Sequence, residues 1–182
     1  MSNRRTGEAG PGRAGRLTSA SPAGTVKRMR ILLVRHADAV SESTGLPDEN
    51  RYLTPAGRQQ VRGLCALLAE SGLELGAVVT SPLVRAVQTA ELLVRWLDWS
   101  GSVEASQCLA PAGASVRAAA EWLTRRAEPL AGATLAAVGH EPSISRLAEL
   151  LAEPSGVTVP SLHKAEAVLI EDGALSWRLE PA

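Results

Sequence analysis

The sequence predicts an α/β fold of three layers, α/β/α, around a mostly parallel sheet that closes with a C-terminal antiparallel hairpin. Three observations carry this. Short apolar runs alternate with amphipathic helical stretches, the connections between them are short, and AEAVLIEDGALSWRLE alternates on both sides of Asp172-Gly173, a strong two-residue turn signal.

Each element has its own justification. Met29 to Val34 reads as a buried strand. In LTPAGRQQVRGLCALLAES, Thr54 is placed to cap a helix with Pro55 in its first turn, and Val61, Leu64, Cys65 and Leu68 form its apolar stripe. GAVVTSPLVRAVQTAELLVRWL repeats the scheme: a strand from Ala77 to Thr80, Ser81 as cap, Pro82 in the first turn, and a helix to about Leu97 with Arg85 one turn in. A short strand is expected near Val103 and a helix from about Ala114 to Ala127. ATLAAVGHEPSISRLAELLAE gives a strand, then Gly139, His140 and Pro142, then a helix with Ile144, Leu147, Ala148 and Leu151 on one face.

The 182 residues suit one domain, residues 29–182, preceded by a basic extension. Residues 1–28 hold six Arg and Lys against Glu8 alone, are rich in Gly, Ser and Pro, and lack both apolar periodicity and a signal-peptide core. They are expected to be a disordered, solvated arm, or to precede a true start at Met29. The net charge is zero, so the body after the arm is acidic, and an anionic ligand would need a local basic pocket. Aromatic residues make up 3% of the chain and Phe is absent, which disfavours stacking platforms for nucleic acid. No apolar run is long enough for a membrane span. Cys65 and Cys108 are too few and too far apart for a disulfide framework or a metal knuckle, and a cytoplasmic setting is the expectation. A monomer is the expected state.

In open α/β sheets, ligands sit beyond the carboxyl ends of the strands. The first strand delivers Arg35 and His36 there, the second leads to Ser81 and Arg85, and a later one ends on Gly139 and His140. Two arginines and two histidines from three strand ends, with helix N-termini beside them, make an anion site. His163, beside Lys164 and ahead of the final hairpin, has no such placement and is expected at the surface.

LVRHAD, LTPAGRQQ, SPLVRAVQTA and VGHEP, in this order, resemble the successive motifs of the histidine phosphatase superfamily, which includes phosphoglycerate mutases. The short length and lack of a long insertion most resemble its SixA-type phosphohistidine phosphatases. The resemblance spans roughly Arg30 to Leu179. It implies a phosphoglycerate mutase-like fold, a nucleophile at His36 that becomes phosphorylated, phosphoryl binding by Arg35, Arg85 and His140, no cofactor and no metal. The partners it implies are a phosphorylated protein, such as a phosphorelay component, or a small phosphoester.

The chemistry of these residues is consistent with that. Phosphoryl transfer has a loose transition state with charge on three oxygens, so catalysis is mainly positioning and charge stabilisation. Guanidinium forks and an imidazolium supply charge-assisted donors. Their charge should lower the pKa of His36, and a backbone carbonyl on its other nitrogen should orient the ring. Two departures from the family pattern stand out. Ala37 replaces the usual Gly, and QCLAPAGAS offers no carboxylate where many members carry a glutamate. Asp38 and Glu141 are the possible general acids; equally, Asp38 suits a loop turn and Glu141 a helix start. Two other readings remain: a metal hydrolase using His36, Asp38 and His140, disfavoured by the nearby arginines, and a phosphoprotein-binding module without turnover. A mutase is disfavoured by the missing acid.

Overall fold

The structure, a computed structural model, describes residues 28–181. The expected basic arm, residues 1–28, therefore lies outside the described residues except for Arg28. Six strands form one sheet in the order β3-β2-β4-β1-β5-β6. They are β1 (Arg30–Arg35), β2 (Leu75–Thr80), β3 (Val103–Ala105), β4 (Thr134–Gly139), β5 (Ala167–Glu171) and β6 (Ala174–Leu179). The first four run parallel, whereas β5 is antiparallel to both β1 and β6.

Alternation along the strands builds two apolar layers. Ile31 and Leu33 face α3 (Val116–Ala127) and α4 (Ser143–Leu151), and Leu32 and Val34 face α1 (Pro55–Glu70) and α2 (Val84–Trp96). All four side chains on β1 are fully buried, each contributing roughly 1.5–3 kcal/mol relative to exposure. The expected stripes are buried as read: Val61, Leu64, Cys65 and Leu68 on α1, and Ile144, Leu147, Ala148 and Leu151 on α4. At the hairpin, Asp172 and Gly173 take φ of 50° and 79°, the left-handed pair that a two-residue turn between twisted strands requires. No helix among the described residues is long and apolar enough to cross a membrane.

The start of α2 differs from the sequence expectation. Ser81 does not cap it; the Ser81 amide donates to the Val138 carbonyl at 3.0 Å and prolongs the pairing of β2 with β4. The helix begins at Val84 with Leu83 as N-cap, so Arg85 lies in its first turn rather than one turn in. The α1 start is as expected: Thr54 Oγ1 accepts from the Gly57 amide at 3.0 Å. Gly57 is needed there because a Cβ would stand 2.1 Å from the Asp38 carbonyl oxygen.

Candidate active site

The register of the central strands sets the site. Arg35 pairs with Gly139 across β1 and β4, and Thr80 with Val138 across β2 and β4, so the residues just past these strands meet at one sheet edge. A cavity of about 460 Å³ there is lined by Arg35, His36, Arg85, His140 and Glu141, joined by Asp48, Arg51 and Lys164. A larger one, about 590 Å³, lies between α3, α4 and the hairpin turn and contains no histidine.

His36 is buried and its ring is fixed from both sides. Nδ1 lies 2.7 Å from the Ala37 carbonyl oxygen, which can only accept, so this nitrogen carries the proton. Nε2 is left with its lone pair and accepts from Arg85 Nε at 3.3 Å. Burial, then the Lys164 charge, hold the His36 pKa down to about 2, with His140 and Arg85 adding less. Desolvation thus outranks the clamp charges that the sequence suggested as the cause. The ring is a neutral imidazole at any ordinary pH.

The His140 ring centroid lies 4.9 Å from that of His36. Its Nε2 is 2.8 Å from Ser81 Oγ, while Nδ1 is buried without a hydrogen-bond partner among the described residues. Burial first, and the Arg85 charge second, lower its pKa to about 4. The expected imidazolium is therefore corrected to a neutral imidazole in the free protein, because burial strips the water a positive charge would need and the Arg85 charge adds to the penalty.

The two arginines are held differently. Arg35 Nη1 donates to the Leu162 carbonyl at 2.6 Å, and its Nε is buried without a partner among the described residues. Arg85, only 4% exposed, donates from Nη1 to the Asp48 carbonyl at 2.6 Å and from Nη2 to the Asp48 carboxylate at 3.0 Å. Asp48 sits on a short 3₁₀ turn, Asp48–Asn50, and also receives Arg51 Nε at 2.9 Å. Burial opposes ionisation of Asp48, but hydrogen bonds from Arg51 and then Arg85 outweigh it and hold its carboxyl below the usual range.

The two possible acids part company. The Asp38 carboxylate accepts from Thr54 Oγ1 at 2.7 Å and brackets the start of α1; Asp38 is not among the lining residues of the cavity. Glu141 does line it: Oε1 accepts from Ser145 Oγ at 2.5 Å and from the Leu162 amide at 2.8 Å, and Oε2 is buried without a partner among the described residues. Ala37 packs into the α1–α2 layer, so its methyl group points away from the cavity's lining.

The ligand set of the metal-hydrolase reading does not assemble. Asp38 is turned to Thr54 and His36 Nδ1 to its own neighbour's carbonyl. Among the described residues, the grouping with metal-ligand spacing is His163, Glu166 and Glu180, and there Arg178 already pairs with the buried Glu166. His163 is exposed, as expected.

Asp48, Arg51 and Lys164 belong to the cavity but escaped the sequence reading. Asp48 and Arg51 had a faint signal in the polar stretch PDENR just before the α1 cap. For Lys164 the signal was topological: β5 is antiparallel to β1, so the chain entering β5 arrives beside Arg35 and His36.

A phosphoglycerate mutase-like sheet carrying two histidines and arginines at its carboxyl edge defines the class. The family model of the histidine phosphatase superfamily (branch 1) matches residues 31–110. An uncharacterized protein of Picosynechococcus sp. is 33% identical over 146 residues, covering 80% of this chain and 87% of that protein. The structure of the protein histidine phosphatase SixA complexed with tungstate superposes with a TM-score of 0.75 at 25% identity, covering 84% of this chain and 97% of that one. Phosphoglycerate mutase from Bacillus anthracis shares the fold, with a TM-score of 0.64 at 15% identity over 86% of this chain and 93% of its own. The chain belongs to the histidine phosphatase superfamily, and its likeness within it is to the SixA type.

Proposed function

We propose that the protein is a phosphatase that works through a phosphohistidine at His36, and that phosphohistidine in a partner protein is its preferred substrate. The observation that carries this is the fixed His36 ring, with Nδ1–H on the Ala37 carbonyl and an unprotonated Nε2 facing the Arg85 guanidinium. Nε2 attacks phosphorus, the bond from phosphorus to the leaving atom breaks, and the leaving group takes the electron pair. Water then attacks the phosphorus, and the P–Nε2 bond breaks with its electron pair returning to Nε2, which departs as neutral imidazole because Nδ1 keeps its proton. The water's proton leaves with the inorganic phosphate or to solvent.

Arg85 and Arg35 supply charge-assisted donors to the phosphoryl oxygens, and His140 a neutral donor. A buried donor without a partner costs about 1–3 kcal/mol, so Arg35 Nε favours the arrival of an oxyanion. The substrate preference follows from leaving-group chemistry. An alkyl phosphate releases an alkoxide-like oxygen that needs a proton, and a positioned acid is typically worth about 10²–10⁴ in rate. A phosphohistidine protonated on its far nitrogen leaves as neutral imidazole and needs no such acid.

A second reading is a small-molecule phosphomonoesterase, favoured by one observation, the placement of Glu141 in the cavity lining with Oε2 uncommitted. One experiment tests both. kcat/KM is measured for a phosphohistidine protein, an aryl phosphate and a sugar phosphate, and the enzyme is quenched without acid to trap labelled phosphate. Label on the peptide containing His36, lost in His36→Ala, with the sugar phosphate slowest, is the expected result. Label on another residue overturns the nucleophile assignment, and a sugar phosphate turned over as fast as phosphohistidine favours the second reading.

A further inference from the structure

The segment entering β5 is tied down on all sides. Leu162 gives its carbonyl to Arg35 and its amide to Glu141, the His163 amide donates to Glu166 Oε2 at 2.6 Å, and the Ala165 amide reaches the His36 carbonyl at 3.4 Å. Glu166 is fully buried and paired with Arg178, whose Nη2 also donates to the Ser161 carbonyl at 3.2 Å. Lys164 therefore projects from a fixed piece of backbone, and its side chain is half-buried in the wall of the phosphoryl cavity. No hydrogen bond or salt bridge engages its ammonium among the described residues.

Lys164 thus adds a further cation to the wall of a cavity that already holds Arg35, Arg51 and Arg85, and an oxyanion placed among them gains a charge-assisted donor from it. We propose that Lys164 is a further substrate-binding residue, whose ammonium takes one phosphoryl oxygen beside Arg35 while the phosphoryl group sits on His36. This deepens the phosphatase reading and rests on it for the identity of the substrate.

The charged surroundings decide how Lys164 titrates. Burial, then Arg35 on β1, lower its pKa to about 8; Arg85 on α2 and Arg51 act in the same direction, and Asp38 opposes them. Asp48 and Glu42 face the cavity from the segment before α1, and Glu141 and His140 from the end of β4. Of the carboxylates, Asp48 is committed to Arg85 and Arg51, and Asp38 to Thr54. Lys164 is thus a cation at neutral pH and loses its charge as the pH rises through about 8.

The test is binding of inorganic tungstate, a dianion across the range used, by titration calorimetry at about pH 6.5 to 9.5. It is run on the wild type, Lys164→Met and Lys164→Arg, alongside kcat/KM for an aryl phosphate. Wild-type affinity should fall as the pH passes about 8. Lys164→Met should bind roughly tenfold more weakly at neutral pH, the scale of one charge-assisted hydrogen bond, and lack that fall. Lys164→Arg should retain affinity at neutral pH and also lack the fall, since a guanidinium stays charged. Tungstate affinity in Lys164→Met equal to wild type overturns the proposal, even if the wild type turns over phosphohistidine. Weaker tungstate binding in Lys164→Met in a protein without turnover upholds it and removes the phosphatase reading instead.

Discussion

Arg85 touches His36 and a carboxylate at once: its Nε stands 3.3 Å from His36 Nε2, while Nη2 donates to Asp48 at 3.0 Å. The Asp48 carboxylate thus occupies part of the fork that a phosphoryl group needs. On the proposed function a phosphoryl group would have to displace it, and the segment carrying it is exposed.

Removing that internal competitor should tighten oxyanion binding. Asp48→Ala is expected to bind inorganic phosphate several-fold more tightly than wild type, and Asp48→Asn to fall between the two, with titration calorimetry as the readout. Weaker binding in both variants would mean that Asp48 chiefly holds Arg85 in position.

Arg85→Ala should lower kcat/KM by about 10²–10³, the scale of losing one donor to a developing anion. Arg85→Lys should recover only part of this, because an ammonium cannot reproduce the fork and cannot serve His36 and a phosphoryl oxygen together. Full activity in the lysine variant would reduce Arg85 to a point charge.

Stability should fall in acid because of the two site histidines. Their pKa values of about 2 and about 4 in the folded protein lie below the ordinary 6.5, so between these limits the unfolded chain binds more protons. Stability therefore rises with pH there, by up to about 1.4 kcal/mol per pH unit for each histidine, and is lost as the pH drops below about 6.5. Thermal melts from pH 7.5 to about 4.5 should show this loss, and His140→Asn and His36→Gln should each flatten it. An unchanged slope in the double variant would assign the loss to carboxylates.

Glu141→Gln separates acid catalysis from scaffolding. If Glu141 protonates leaving groups, the variant should lose about 10²–10⁴ in kcat/KM on alkyl phosphates and far less on phosphohistidine. Equal losses on both substrates would assign Glu141 to holding Leu162 and Ser145, the two groups its Oε1 now accepts from.

Local pattern was enough for most of the architecture. Period-two and helical spacing, the Thr54 and Asp172-Gly173 signals, and the rule that ligands gather at strand ends are enough to bring Arg35, His36, Arg85 and His140 to one edge. Those features are encoded within a few residues of each position, where backbone preference and apolar spacing act directly. Sequence alone did not separate Asp38 from Glu141, because both lie within two residues of a site histidine and only packing shows that Thr54 takes one carboxylate while the other lines the cavity. Nor did it show that the Ser81 amide bonds back to β4 instead of capping α2, or that Asp48 and Lys164 reach the pocket. Lys164 lies 128 residues after His36 in the chain, and what brings them together is the antiparallel pairing of β5 with β1. The protonation states were likewise decided by the tertiary structure: desolvation by the assembled layers, more than the neighbouring charges, keeps both histidines neutral, and no stretch of sequence carries the burial that causes it.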